Sequence, residues 1–282
     1  MTSQMPHHQT LIDVYARHPL REDTILARIG RQRGTLDGIT EIDLAHDTLT
    51  EITDQNHVGG IASVVQLALR AGVTAASRVL DIGAGLGGSA RCLAHLFGCR
   101  VDGVELSPFR CTDANRLTDR VALGHLVTCR CGDILSVEVP PGHYDVIWGQ
   151  GAWMHIADTA ALCDRAARAL LPGGRIAFEE ACVIRAAASE SETGALAELE
   201  RLWGGTFLSP DAWQSALACA GFQTIAVDDM TREFAIHFER LQTIARTVAA
   251  GAYPAHETDA FGHAMTLARA GVIGYSRFVA RQ

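Results

Sequence analysis

An α/β fold built on a doubly wound, mostly parallel sheet follows from three observations in this 282-residue chain. From residue 79 onward, short apolar runs alternate with helical patterns, the signature of successive strand–helix–strand units. The first run, Val79-Leu80-Asp81-Ile82, opens into Gly83-Ala84-Gly85-Leu86-Gly87-Gly88 and then a helix over residues 89–97. Asp81, Glu105, Asp133 and Gln150 fall at or just beyond the ends of the first four strands. Ligands of open α/β sheets bind at that edge.

Taken in order, residues 1–20 read as a flexible lead-in with a helix near 10–17. Helical signals then break at Arg33-Gly34 and Asp37-Gly38. Apolar residues at Ile61, Val64, Val65, Ala68 and Leu69 make an amphipathic helix ending near Gly72. Strand two spans 100–105, and Ser107-Pro108 starts a helix over 109–118, since Ser caps and Pro suits the first turn. Strands three and four cover 126–130 and 144–148. A helix over 158–170 stops at Pro172-Gly173-Gly174, and 175–179 begins strand five. Beyond it come a helix from Ser209-Pro210 to Ala220, strand six at 223–227, helices at 232–250 and 257–270, and strand seven at 272–280. The expected division is an N-terminal helical extension or cap, 1–72, and a core, 73–282, carrying lid-like segments 184–207 and 230–270.

Composition narrows the function. Hydrophobic residues make up 48% and charged ones 20%, an ordinary globular balance. The net charge is −8, and all 24 basic residues are arginine, so no basic footprint for nucleic acid is visible. No apolar run approaches the ~20 residues of a membrane span, and the first residues lack the apolar stretch of a signal peptide. The eight cysteines form no C-x-x-C pair; Cys129 and Cys131 alone are too few for a metal site. Reduced thiols in the cytoplasm, with no metal, are the expectation.

The glycine loop lets the backbone turn and approach a ligand, and the following helix presents unpaired N–H groups to it. Gly83-x-Gly85-x-x-Gly88 fits a dinucleotide fingerprint, with Glu105 placed for ribose hydroxyls, so an NAD(P)-dependent oxidoreductase is one reading. The same residues read as Asp-x-Gly-x-Gly-x-Gly, in which Asp81 holds an ammonium group; beside a pyrophosphate that carboxylate adds repulsion. A nicotinamide enzyme also calls for relay residues such as a Tyr-x-x-x-Lys pair, and the chain has no lysine. On the second reading Gly83, Ala84, Gly85 and Gly87 form the cradle, Glu105 accepts both ribose hydroxyls, Asp133 accepts from the adenine amine, and Leu106 and Ile134 flank the ring. Gln150 completes the set. A lone Asp at a strand end is commonly a turn or cap residue; four polar strand ends around one glycine loop are harder to dismiss.

Residues 54–183 resemble class I S-adenosylmethionine (SAM) dependent methyltransferases, through the loop 81–88 and through Leu171-Pro172-Gly173-Gly174 before strand five. Asp54-Gln55-Asn56-His57-Val58-Gly59-Gly60, with 81–91, is similar to the small-molecule branch that includes sarcosine/dimethylglycine N-methyltransferases and γ-tocopherol-type enzymes. That resemblance implies a Rossmann-like, seven-stranded sheet whose last strand is antiparallel. It also implies SAM as cofactor and a small-molecule acceptor, with an amine first and a carbon or oxygen of an isoprenoid or aromatic compound second.

In-line transfer from a sulfonium depends chiefly on orientation, with a base required only for a protonated acceptor. The candidate catalytic residues are His57, Glu179, Glu180 and His155. His57 is equally readable as a helix-start residue bonded to backbone. Neighbours on a strand face opposite ways, so at most one of Glu179 and Glu180 faces a pocket. Candidate substrate contacts are Gln55, Trp153, whose ring could wall a cavity, and Arg185, which is otherwise a surface residue. A homodimer is a further expectation, through 230–270.

Overall fold

The computed structural model describes residues 4–248 and 251–282. Four helices come first: α1 (Gln4–Ala16), α2 (Glu22–Arg33), α3 (Glu41–Ala45) and α4 (Gly60–Ala71). The glycines that broke the helical pattern near residue 34 mark an end rather than an absence. Gly34 closes α2 in the left-handed region at φ 73°, where a Cβ is penalised.

The core alternates as the sequence pattern requires: β1 (Arg78–Ile82), α5 (Gly88–Phe97), β2 (Arg100–Glu105), α6 (Pro108–Arg120), β3 (Val127–Cys131), β4 (Tyr144–Gln150), α7 (Thr159–Ala169) and β5 (Leu170–Val183). After it come α8 (Glu190–Trp203), α9 (Pro210–Cys219), β6 (Gln223–Asp229), α10 (Thr231–Arg246), α11 (Ala255–Arg269) and β7 (Ile273–Arg281). The helix expected over 232–250 ends earlier, and residues 249 and 250 lie outside the described residues, as do 1–3 of the expected lead-in. Strand five begins earlier than its expected start: β5 runs through Pro172-Gly173-Gly174 and on to Val183.

The seven strands form one sheet in the order β3-β2-β1-β4-β5-β7-β6. β1 pairs parallel with β2 and β4, and β7 pairs antiparallel with both β5 and β6. This is the Rossmann-like sheet with an antiparallel last strand. The chain reverses its direction of winding between β1 and β4, which opens a crevice at their carboxyl ends. Both faces of the central strands are covered, so β1 and β4 are apolar in their middles, with polar residues such as Asp81 and Gln150 toward their carboxyl ends. Leu80, Ile82, Ile147 and Phe178 pack on the α7/α9 side; Val79, Val101, Trp148 and Ala177 pack on the α4/α5 side. Outside this core, α8, α10, α11 and β7 enclose a separate aromatic-rich cluster that includes Phe234, Phe238 and Phe261.

Candidate active site

The loop between β1 and α5 needs glycine at several points. Gly83, Gly85 and Gly87 have φ of 78°, 57° and 75°. A Cβ on Gly83 would stand 2.4 Å from the Ala152 Cβ, and one on Gly88 would stand 2.4 Å from the Asp54 carbonyl oxygen. The chain is thus pulled tight against the β4 end and the 54–57 loop, and a cavity opens above it.

That first cavity is lined by Asp81, Gly83, Ala84, Gly85, Glu105, Leu106, Asp133, Ile134 and Gln150, together with Leu11, Ile12 and Tyr15 of α1. All but one of the expected cofactor contacts therefore meet in one place; Gly87 stands behind the loop, closing α5 at its amino end. Glu105 accepts from the backbone N–H of Gly85 and of Ser107, each at 2.8 Å, so its carboxylate is fixed in orientation. Asp133 Oδ1 accepts from Leu135 N–H at 2.8 Å. Gln150 Oε1 accepts from Ser89 at 2.8 Å.

Asp81 is different. Its Oδ2 is buried with no hydrogen-bond partner, and burial, with the nearby Glu105 charge second, pushes its carboxyl up to about 7. A buried carboxylate without a donor is costly, and a cationic ligand group would remove the cost. The glycine cradle, the fixed Glu105 and the orphaned Asp81 oxygen fit SAM, whose amino-acid end carries an ammonium.

A second cavity adjoins the first, sharing Tyr15, Asn56, His57 and Gly151 as walls. Its sides are largely aromatic: Trp203 from α8, Phe234 and Phe238 from α10, Phe261 from α11, Tyr253 and Tyr275. Both expected lid-like segments thus contribute to it. Its acidic residues are Glu51, Glu180 and Glu257.

The expected catalytic pair separates across the sheet. Glu180 faces the second cavity, where its oxygens accept from the N–H groups of Trp153 (2.7 Å), Met154 (3.1 Å) and Ala181 (3.2 Å). Burial raises its carboxyl to about 7 although these donors oppose the shift. Glu179 points the other way and lines neither cavity. Arg277 Nη2 lies 2.6 Å from it, Ser63 donates to both its oxygens at 2.7 Å, and Gln150 donates at 2.9 Å. Its oxygens are fully engaged, which corrects its assignment as a base.

His57 lines both cavities. Its Nε2 is 3.0 Å from Gln55 Oε1 and its Nδ1 is 3.2 Å from the Val58 carbonyl; a neutral ring can donate to only one of these. Burial lowers its pKa, with the Glu179 charge opposing. His155 lines the first cavity, where its Nε2 meets the Tyr15 hydroxyl at 2.7 Å and its Nδ1 the Gly204 carbonyl at 3.1 Å. Gln55 lines the second cavity.

Two expected substrate contacts are corrected. Trp153 is 1% exposed; it stacks on Phe178 at 4.3 Å, and its indole N–H donates to the Ile82 carbonyl at 3.1 Å. It is core, because Gly149 leaves room for the ring to fold back: a Cβ there would stand 2.1 Å from its Nε1. Arg185 lies exposed and pairs with Glu192 at 2.8 Å, away from both cavities. Conversely, Tyr15, Glu257 and Tyr275 belong to no local motif; the packing of α1, α11 and β7 brings them in. Ser107, expected to cap α6, makes no such bond, and its hydroxyl is buried unpartnered. Among the described residues, no group of three or more His, Cys, Asp or Glu is placed to hold a metal ion.

Residues 80–178, the stretch from β1 into β5 that carries this loop and cavity, match the model of the family described as Methyltransferase domain. The chain is 29% identical over 167 residues to a sarcosine/dimethylglycine N-methyltransferase of Halorhodospira halochloris, covering 59% of this chain and 58% of that protein. It is 32% identical over 143 residues to a chloroplastic tocopherol O-methyltransferase of Arabidopsis thaliana, covering 48% and 41%. Among solved structures, a geranyl diphosphate C-methyltransferase from Streptomyces coelicolor A3(2) superimposes with a TM-score of 0.73 over 98% of both chains at 18% identity. That last likeness is one of fold. The chain spans between 31% and 58% of the length of the first curated relatives it matches. None of these relatives supports the oxidoreductase alternative.

Proposed function

We propose that this chain is a SAM-dependent methyltransferase acting on a small molecule. The observation that carries the reading is the meeting of the two cavities: one carries the orphaned Asp81 carboxylate beside a glycine cradle, the other is apolar, and Tyr15, His57 and Gly151 form their common wall. Asp81 would take the ammonium of the methionine end, and Gly83 to Gly85 its backbone. Glu105 would accept the ribose hydroxyls, and Asp133 the adenine amine between Leu106 and Ile134. Bound there, the cofactor supplies a methyl group already activated on sulfur. What remains for the protein is to exclude water and hold a nucleophile in line, and the aromatic walls and α1 suit that task.

An amine is the first acceptor class, by likeness to the N-methyltransferases. A carbon of an isoprenoid or aromatic compound is the second, favoured by the apolar walls and by Glu180, which could receive the proton lost from carbon. Nucleic-acid substrates do not suit the net charge of −8. No helix among the described residues is long and apolar enough to cross a membrane. Eight free cysteines agree with a cytoplasmic protein, and a homodimer through the 230–270 segment stays part of the proposal. Mass spectrometry of ligand released on denaturation, with SAM, S-adenosylhomocysteine and NAD(P) titrated in parallel, tests the reading. Binding of SAM or its product is expected; binding of NAD(P) alone would overturn it.

A further inference from the structure

Tyr275 sits on β7, 2% exposed, with its hydroxyl buried and unpartnered. A Cβ on Gly151 would stand 3.6 Å from that oxygen and 3.9 Å from the His57 Cβ, so the phenol lies at the wall where the two cavities meet. Its ring stacks against Phe234, with centroids 5.7 Å apart. Burial first, then the carboxylates of Glu179 and Glu180, holds the phenol protonated. A buried hydroxyl left without a partner is unfavourable, and native proteins keep few of them, so a ligand group is its natural complement.

Among the residues lining the second cavity, the acidic side chains are not matched by basic ones. Glu180 accepts from backbone N–H groups and has no ion-pair partner among the described residues. Glu51 is matched from outside by Arg240 at 2.7 Å, and Glu257 faces His18 at 3.9 Å. The cavity's histidines are poor cations: burial lowers His18 to about 3, His237 to about 4, and His57 as well. No arginine is among the residues that line this cavity, and the chain contains no lysine. The walls therefore offer aromatic rings, a carboxylate without an ion-pair partner and a free phenol oxygen; the nearest cation, Arg110, lines the first cavity and sits over the Tyr15 ring at 4.7 Å.

Resting on the methyltransferase reading, we propose that the aromatic cavity receives a lipophilic amine that carries no carboxylate or phosphate, with its nitrogen at Tyr275 Oη and the Glu180 carboxylate. An N–H of a secondary amine donates to Tyr275 Oη, which leaves the lone pair directed across the Gly151 wall. The new N–C bond forms as the donor's S–C bond breaks, the electron pair staying on sulfur. The resulting ammonium gives its proton to Glu180 and leaves as a tertiary amine. While charged, it faces Trp203, Phe234 and Phe238, whose π faces attract a cation. This separates the acceptor from amino-acid and phosphorylated amines, which require a cation the cavity lacks.

The test uses the full chain loaded with S-adenosylhomocysteine and three benzyl probes: benzyltrimethylammonium, its uncharged isostere neopentylbenzene, and the acid 3-phenylpropionate. Equilibrium binding followed by tryptophan fluorescence is expected to rank the ammonium about tenfold tighter than the isostere, with the acid weakest. Glu180→Gln should reduce the preference for the ammonium, leaving the part that the aromatic rings supply. Tyr275→Phe should weaken N-methylbenzylamine, which has an N–H to donate, and leave benzyltrimethylammonium unchanged. An isostere or acid that binds as tightly as the ammonium overturns the proposal. Equal losses for both amines in Tyr275→Phe overturn the role of the phenol. S-adenosylhomocysteine affinity, measured in each variant, serves as the control for folding. If the wild type does not bind it, the methyltransferase reading fails; if it binds and the ammonium is not preferred, only this inference fails.

Discussion

Asp81 is the residue on which the cofactor assignment turns, because its cost in the free protein is visible. Its carboxyl sits near 7, and only the ionised form can pair with an ammonium. The sign follows: as pH falls through 7 the group takes up a proton and the attraction is lost. Affinity for SAM is expected to fall about tenfold per pH unit below that point, as calorimetry between pH 5 and 8 would record. An affinity flat across that range would remove Asp81 from the site. Glu105 gives a second, pH-independent check. Held by two backbone donors, it is rigid enough for bidentate contact, and Glu105→Ala should weaken SAM binding by about tenfold or more. At Glu180 the expectation differs in kind, since Glu180→Gln should lower turnover on an identified acceptor while SAM affinity stays as in the wild type. Equal turnover in the variant would restrict Glu180 to a structural role.

Among the elements, the β1–α5 loop owes its shape to glycine for two reasons at once. Gly83 occupies the left-handed region, and the Ala152 methyl fills the space where its Cβ would go. Gly83→Ala therefore forces the loop away from the β4 end, which widens the wall between the cavities. SAM binding should drop below detection by calorimetry, while far-ultraviolet dichroism keeps the native helical signal. α1 acts at the same scale. Tyr15 is held from one side by Arg110, 4.7 Å from its ring centre, and from the other by His155, and it lines both cavities. The glycine loop and strand ends could be read from the sequence because each is a local pattern with a fixed consequence. α1 as a wall could not, since a helical signal near 10–17 says nothing of what the helix packs against.

At the scale of the whole molecule, Arg277 joins the sheet to α4. It reaches Glu179 on β5 and Ser63 and Gln66 on α4, all from the middle of β7. Glu179 is 0% exposed, so removing Arg277 takes away its counter-ion and leaves only the hydrogen bonds from Ser63 and Gln150. Arg277→Leu is expected to cost about 3–5 kcal/mol in denaturant unfolding, and Arg277→Leu with Glu179→Gln considerably less. Equal losses for the single and double variants would show that the pair is not the source. The same pairing explains the corrected assignment: alternation along β5 required Glu179 and Glu180 to part, but which one met the cavity depended on β7 carrying Arg277 to one face.

What the sequence determined by itself was the run of strands, the glycine loop and the polar residues at four strand ends, because backbone periodicity and the conformational freedom of glycine act within a few neighbouring residues. The antiparallel last strand came only from the resemblance to the methyltransferase family, and β7 pairs antiparallel with β5 and β6. The tertiary structure alone decided that Trp153 fills the core, that Arg185 stays on the surface, and that Tyr15, Glu257 and Tyr275 meet beside the loop. Those outcomes depend on packing between elements, where volume and charge pairing, not local pattern, set the side chain's direction.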